Sequence, residues 1–144
     1  MEWFHALTTL SLGALFGGIV AFSVLFAPLV FTQLPMEVAG KFIRAVFPWY
    51  YLYVIVFGFL SAIVAGLAGA GIGTLLPAAL VGLASVYTRQ VLMIQINTLR
   101  DRELAGDTAA GKAFNTKHRL SVIINFVQLL VAGWLLACWA YPVV

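Results

Sequence analysis

Residues 45–88 read AVFPWYYLYVIVFGFLSAIVAGLAGAGIGTLLPAALVGLASVYT, 44 consecutive positions without a charged side chain. The hydrocarbon core of a bilayer is about 30 Å thick and takes roughly 20 mostly apolar residues as a helix. The stretch is too long for one crossing and long enough for two. Gly66, Gly69, Gly71 and Gly73, with Pro77 just beyond, interrupt its middle and read as a turn followed by a helix start. One crossing is expected at about 48–68 and another at about 74–96, the second running past the end of the block.

Outward from this block the pattern repeats. Residues 3–36 hold no Asp, Glu, Lys or Arg and supply a crossing at 6–30, and the uncharged run 120–141 supplies the last. The first is expected to stay in the mature protein, because Met1-Glu2-Trp3 has no basic region and the apolar run far exceeds that of a secretory signal. A β-barrel would show strands of about ten alternating residues, whereas these blocks are continuous and twice as long. The fold class is therefore all-α: an integral membrane protein, one domain over residues 1–144, with four transmembrane helices in an antiparallel bundle. Composition agrees, with 63% apolar and 9% charged residues among 144 and a mean hydropathy of +1.05. Soluble domains have about 45–50% apolar and about 25% charged residues.

Four crossings put both termini on one side. All eight basic residues, Lys41, Arg44, Arg89, Arg100, Arg102, Lys112, Lys117 and Arg119, lie in or beside the other two connections, and the Gly-rich turn between crossings two and three has none. The positive-inside rule then puts those connections in the cytoplasm and the termini on the non-cytoplasmic side. Trp3, Trp134, Trp139 and Tyr141 would mark the outer interface, and Trp49, Tyr50 and Tyr51 the inner one. The formal charge of +3 reflects this topology. No extended basic patch interleaved with aromatics points to nucleic acid.

Residues 35–47 have helical period, with Glu37, Lys41 and Arg44 on one face and Leu34, Val38, Phe42 and Val46 on another. This predicts a short interfacial helix between helices one and two, ended or kinked by Pro48, with Glu37 and Lys41 paired at i,i+4. Helix three should overrun the membrane to Gly106, a C-cap, with Asp107 or Thr108 capping helix four.

Two polar stripes run along this hairpin. His118, Ser121, Asn125 and Gln128 follow steps of three, four and three in helix four, and Gln90, Met93, Asn97 and Arg100 repeat those steps in helix three. The two stripes are expected to face one another across a hairpin centred on residue 109, so that Arg100 meets His118, Asn97 meets Ser121, Met93 meets Asn125 and Gln90 meets Gln128. Polar side chains in hydrocarbon turn to a bundle interior or a wet cavity. The stripes are then either interhelical glue, worth about 0.6 kcal/mol per contact, or the walls of a cytoplasm-facing pocket for a small polar or anionic ligand. Arg89 is expected to snorkel to the interface, and Cys138 to be a buried apolar thiol. Gly13 with Gly17, and Ala78 with Gly82, have the spacing that lets helices approach closely, within the bundle or in a homo-oligomer. Neither a metal nor another cofactor is expected: there is no Cys pair and no His/carboxylate cluster with ligand spacing.

Phe26-Ala27-Pro28-Leu29-Val30-Phe31, Leu34-Pro35, Ala39-Gly40 and Phe47-Pro48-Trp49-Tyr50-Tyr51, together with Phe114, His118, Ser121 and Asn125, resemble the signatures of the transmembrane-protein-205-like family. Its bacterial members form domain-of-unknown-function family 4149. The resemblance implies four membrane helices without an assigned activity, and its vertebrate namesake's association with platinum-drug tolerance implies transport or metal handling. The one Cys and the dispersed Met1, Met36 and Met93 do not fit soft-metal binding. It also marks Pro28 as part of any site.

The candidate ligand-binding residues are thus Arg44, Tyr50, Tyr51, Gln90, Asn97, Arg100, His118, Ser121, Asn125 and Gln128. Two functions fit. One is a small transporter or ligand-binding protein with a polar pocket between helices three and four. The other is a non-catalytic accessory subunit or assembly factor that packs on a membrane partner through its Gly-rich helix faces. An enzyme is not expected, since all five acidic residues lie outside the crossings and no nucleophile arrangement can be assembled.

Overall fold

The computed structural model describes residues 2–141, so Met1 and 142–144 of the single-domain reading lie outside the described residues. Four helices follow one another: α1 Glu2–Gln33, α2 Met36–Leu67, α3 Ile72–Leu104 and α4 Thr108–Ala140. Each is long and apolar enough to cross a membrane, and no strand occurs among the described residues. At 1.5 Å per residue each runs about 50 Å, well beyond a hydrocarbon core of about 30 Å. At most 39% of any span's apolar window is buried inside the molecule. Side chains such as Leu10, Val24, Ile63, Leu80 and Phe126 therefore face outward, which requires a solvent as apolar as lipid.

The turns form where backbone chemistry demands them. Gly69 and Gly106 adopt φ of +85° and +102°, the left-handed region that closes helices α2 and α3. One residue later Asp107 caps α4, with Oδ1 accepting from the Ala110 N–H at 3.1 Å. His5 stacks on Trp139 at 4.9 Å, and the Trp139 indole N–H donates to the His5 carbonyl, so the start of α1 and the end of α4 lie together at the end opposite the charged hairpin.

Packing is tightest between α2 and α3. A Cβ added at Gly58 would lie 2.8 Å from the backbone nitrogen of Gly82, so these glycines let the two backbones touch. Leu12, Leu15 and Ile19 of α1, Val54 of α2, Val81 of α3 and Ala132 and Leu135 of α4 fill the interior.

Several expectations change. The segment taken as a separate interfacial helix is the first three turns of α2, continuous through Pro48. The expected Glu37–Lys41 pair forms at 2.8 Å. Gly13 and Gly17 pack nothing, since a Cβ at either would meet no atom within 4 Å; the close approach on α1 is at Gly18, where a Cβ would collide with the Tyr53 ring. Cys138 is exposed rather than buried.

Candidate functional site

The polar centre of the bundle lies where α1, α2 and α4 meet. The Tyr50 hydroxyl donates to Oδ1 of Asn125, and the Asn125 amide donates to Ser23 Oγ at 2.7 Å. Ser23 lies in a π-helical segment of α1, Ala21–Phe26, where the Ala27 N–H reaches back five residues to the Phe22 carbonyl. Pro28 accounts for the widened turn: its ring crowds the carbonyl of Val24, four residues back, and it offers no N–H to replace the lost bond. Pro28 itself faces outward. It acts on the centre through the backbone.

Aromatic rings wall this centre. Phe22 stacks on Tyr50 with centroids 3.8 Å apart, and Phe47 stacks on Tyr51 at 5.5 Å. Tyr53 donates to the Ala14 carbonyl at 2.6 Å. Beside the rings, between α1 and α2, opens a groove of about 760 Å³. Gly18, Ala21, Phe22, Leu25, Phe26, Leu29 and Val30 form its α1 wall and Val46, Tyr50 and Tyr53 its α2 wall, and it ends at Gln33 and Leu34.

A second polar contact joins α3 and α4. Gln128, buried, donates through Nε2 to the Val81 carbonyl at 2.9 Å and to Ser85 Oγ at 2.8 Å. Near it α3 carries its own π-helical segment, Thr88–Leu92, and Arg89 within it donates through Nε to the Pro48 carbonyl at 3.1 Å. Arg89 is thus turned across the bundle to α2.

At the charged end three arginines are paired. Arg44 bonds Asp101 at 2.8 Å and the Asn97 carbonyl at 3.4 Å, Arg100 pairs with Glu103, and Arg102 with Asp107. Arg100 also lies over the Phe114 ring at 5.3 Å, and Phe114 stacks on His118. The Asp107 carboxyl is held below the usual aspartate range, first by the Ala110 N–H and then by the Arg102 guanidinium.

The structure therefore redistributes the expected site. Tyr50, Asn125 and Gln128 are inside the bundle, but Asn125 faces Tyr50 and Ser23, and Gln128 faces Ser85, not Gln90. Gln90 is exposed. Ser121 donates to its own helix, to the His118 carbonyl at 2.7 Å. Arg100 meets Phe114 rather than His118 directly, and Glu103 lies against Gly111. Both contacts centre the hairpin on residue 107 instead of 109, which shifts the facing register by about one helical turn. Tyr51 is buried among the rings without a hydrogen bond to the stripes. Ser23, Ser85 and Arg89 were missed, although each is a polar residue within an apolar run and so a candidate for an inward face.

A family model described as "Domain of unknown function (DUF4149)" matches residues 10–105, from α1 to the end of α3. The chain belongs to this DUF4149 family. No curated protein and no solved structure matches it. In DUF4149 terms the match contains the α1/α2 groove, Tyr50 and both π-helical segments, while Asn125 and Gln128 come from α4 beyond it.

Proposed function

We propose that this DUF4149 protein is a non-catalytic, ligand-binding membrane protein that holds the apolar chain of a lipid-like amphiphile in the groove between α1 and α2. The observation that carries the reading is the groove itself. Its volume of about 760 Å³ lies within the roughly 300–1,000 Å³ of ligand sites, which are lined mostly by apolar and aromatic side chains with a few polar groups. A small polar solute is a poorer fit, because Tyr50, Asn125, Ser23 and Gln128 direct their hydrogen bonds to one another and to the backbone. A transporter of amphiphiles would use the same groove. We place the protein in a bacterial cytoplasmic membrane with its termini outward, a reading supported by the gathering of cations at the hairpin end.

A photoactivatable fatty-acid analogue, added to the purified protein in lipid nanodiscs, should label peptides from residues 18–30 and 46–53, and Ala21→Trp should suppress that labelling. Equal labelling of all four helices, unchanged by the substitution, would remove the basis for the reading.

One observation favours the alternative, an accessory subunit of a larger membrane complex. Gly13 and Gly17 leave open space on α1, a face that fits a helix of another chain. A stoichiometric membrane protein retained through gentle purification, and lost with Gly17→Leu, would support this second reading.

A further inference from the structure

The charged end of the molecule is not evenly neutralised. Of the acidic residues, Glu37, Asp101, Glu103 and Asp107 each pair with a cation, Lys41, Arg44, Arg100 and Arg102 respectively. Among the described residues Lys112, Lys117 and Arg119 have no carboxylate partner, and all three lie on the first turns of α4. Lys117 lines a separate groove of about 330 Å³ whose other wall is Ile94, Gln95, Thr98 and Leu99 of α3.

Depth identifies what the groove faces. The charge-free run of α4 begins at Leu120, just beyond Lys117 and Arg119, and Gln95 and Thr98 precede the charged end of α3, which starts at Arg100. The groove therefore lies where the charged hairpin gives way to apolar helix, the level of lipid headgroups. Its chemistry is graded in the same direction. The Lys117 ammonium and the Gln95 amide make no side-chain hydrogen bond among the described residues and remain available as donors. Thr98 already donates to the Ile94 carbonyl at 3.0 Å. Ile94 and Leu99 supply apolar surface beside them.

We infer that this groove is a binding site for an anionic phospholipid, with the headgroup phosphate on Lys117 and Gln95 and one acyl chain against Ile94 and Leu99. Lys112 and Arg119 add to the positive field that draws an anionic lipid to this end. The site is separate from the α1/α2 groove, so neither reading depends on the other.

The test titrates the purified full-length protein in neutral detergent with phosphatidylglycerol, phosphatidylcholine and inorganic phosphate, counting bound molecules by native mass spectrometry. Wild type should retain phosphatidylglycerol in preference to phosphatidylcholine. One basic residue near an anionic lipid accounts for roughly a fivefold change in affinity, so Lys117→Gln should lose about that much while Lys117→Arg keeps most of it. Equal retention of the two lipids by wild type, an undiminished preference in Lys117→Gln, or competition by inorganic phosphate as strong as by the lipid would overturn the assignment. Retained binding by Lys117→Arg rules out misfolding as the cause of the loss.

Discussion

Tyr50 and Asn125, 75 positions apart in the chain, are joined by a hydrogen bond from the phenol hydroxyl to the amide oxygen, and the same amide reaches Ser23. One asparagine thus ties α4 to both α1 and α2. The widened turn before Pro28 lies at the same place, so backbone irregularity and polar contact coincide on the edge of the α1/α2 groove.

Breaking this junction should cost stability cooperatively. Interhelical hydrogen bonds in membranes average about 0.6 kcal/mol and reach about 1.7. Tyr50→Phe should lower unfolding stability by about 0.5–1 kcal/mol, and Asn125→Ala by more, since it removes two bonds. A double-mutant cycle in mixed micelles should show positive coupling between Tyr50 and Asn125; strictly additive losses would show that the bond contributes nothing.

The glycines separate into two classes that substitution should distinguish. Gly58→Ala drives a methyl to 2.8 Å from the Gly82 nitrogen, a backbone atom that cannot step aside. The α2–α3 contact must open, with an overpacking cost of about 1–3 kcal/mol. Gly13→Ala and Gly17→Ala meet nothing within 4 Å and should be neutral or gain up to about 1 kcal/mol from helix propensity. Unfolding midpoints of the three variants decide the matter, and an equal loss in all three would contradict the packing described.

How much of this was legible depended on whether the signal was local. The glycines around Gly69 marked the α2–α3 turn, and Gly106 with Asp107 marked the second hairpin, because positive φ and capping are properties of a few adjacent residues. The stripe through Asn125 and Gln128 identified an inward face but not which neighbour it meets, since helical period fixes direction around one axis and says nothing of how helices are placed around it. Asn125 therefore found Tyr50 and Ser23 where Met93 was level with it in the expected register. The contact made by Arg89 was hidden for a related reason. Its partner is the Pro48 carbonyl, a backbone group that composition does not reveal. The α1/α2 groove was invisible because it depends on how α1 and α2 lie against each other around the widened turn.

Acid should loosen the hairpin through Asp107. Its folded pKa lies below its ordinary value of 3.8, so the ionised carboxylate stabilises the fold. That contribution is complete above the ordinary value and disappears as pH falls through the lower folded one. Limited proteolysis between residues 104 and 110 should therefore increase in wild type only below about pH 4. Asp107→Asn, which retains a capping oxygen without the charge, should be more susceptible at neutral pH and less dependent on pH. An identical acid profile in the two proteins would show that the carboxylate charge is not what holds the turn.

The direction of insertion is open to a direct measurement. The hairpin carries Lys112, Lys117 and Arg119 without acidic partners, whereas Glu2 is the one acidic residue at the end where His5 meets Trp139. Moving those cations across the membrane is opposed during insertion, and cytoplasmic retention of such loops is the basis of the positive-inside rule. In a Cys138→Ser background, Thr108→Cys should resist a membrane-impermeant maleimide in intact cells and react after permeabilisation, while Tyr141→Cys should react in both. Labelling of Thr108→Cys from outside intact cells would reverse the orientation. It would also put the Lys117 groove on the opposite leaflet, leaving the geometry of both grooves unchanged but altering which lipid pool each one meets.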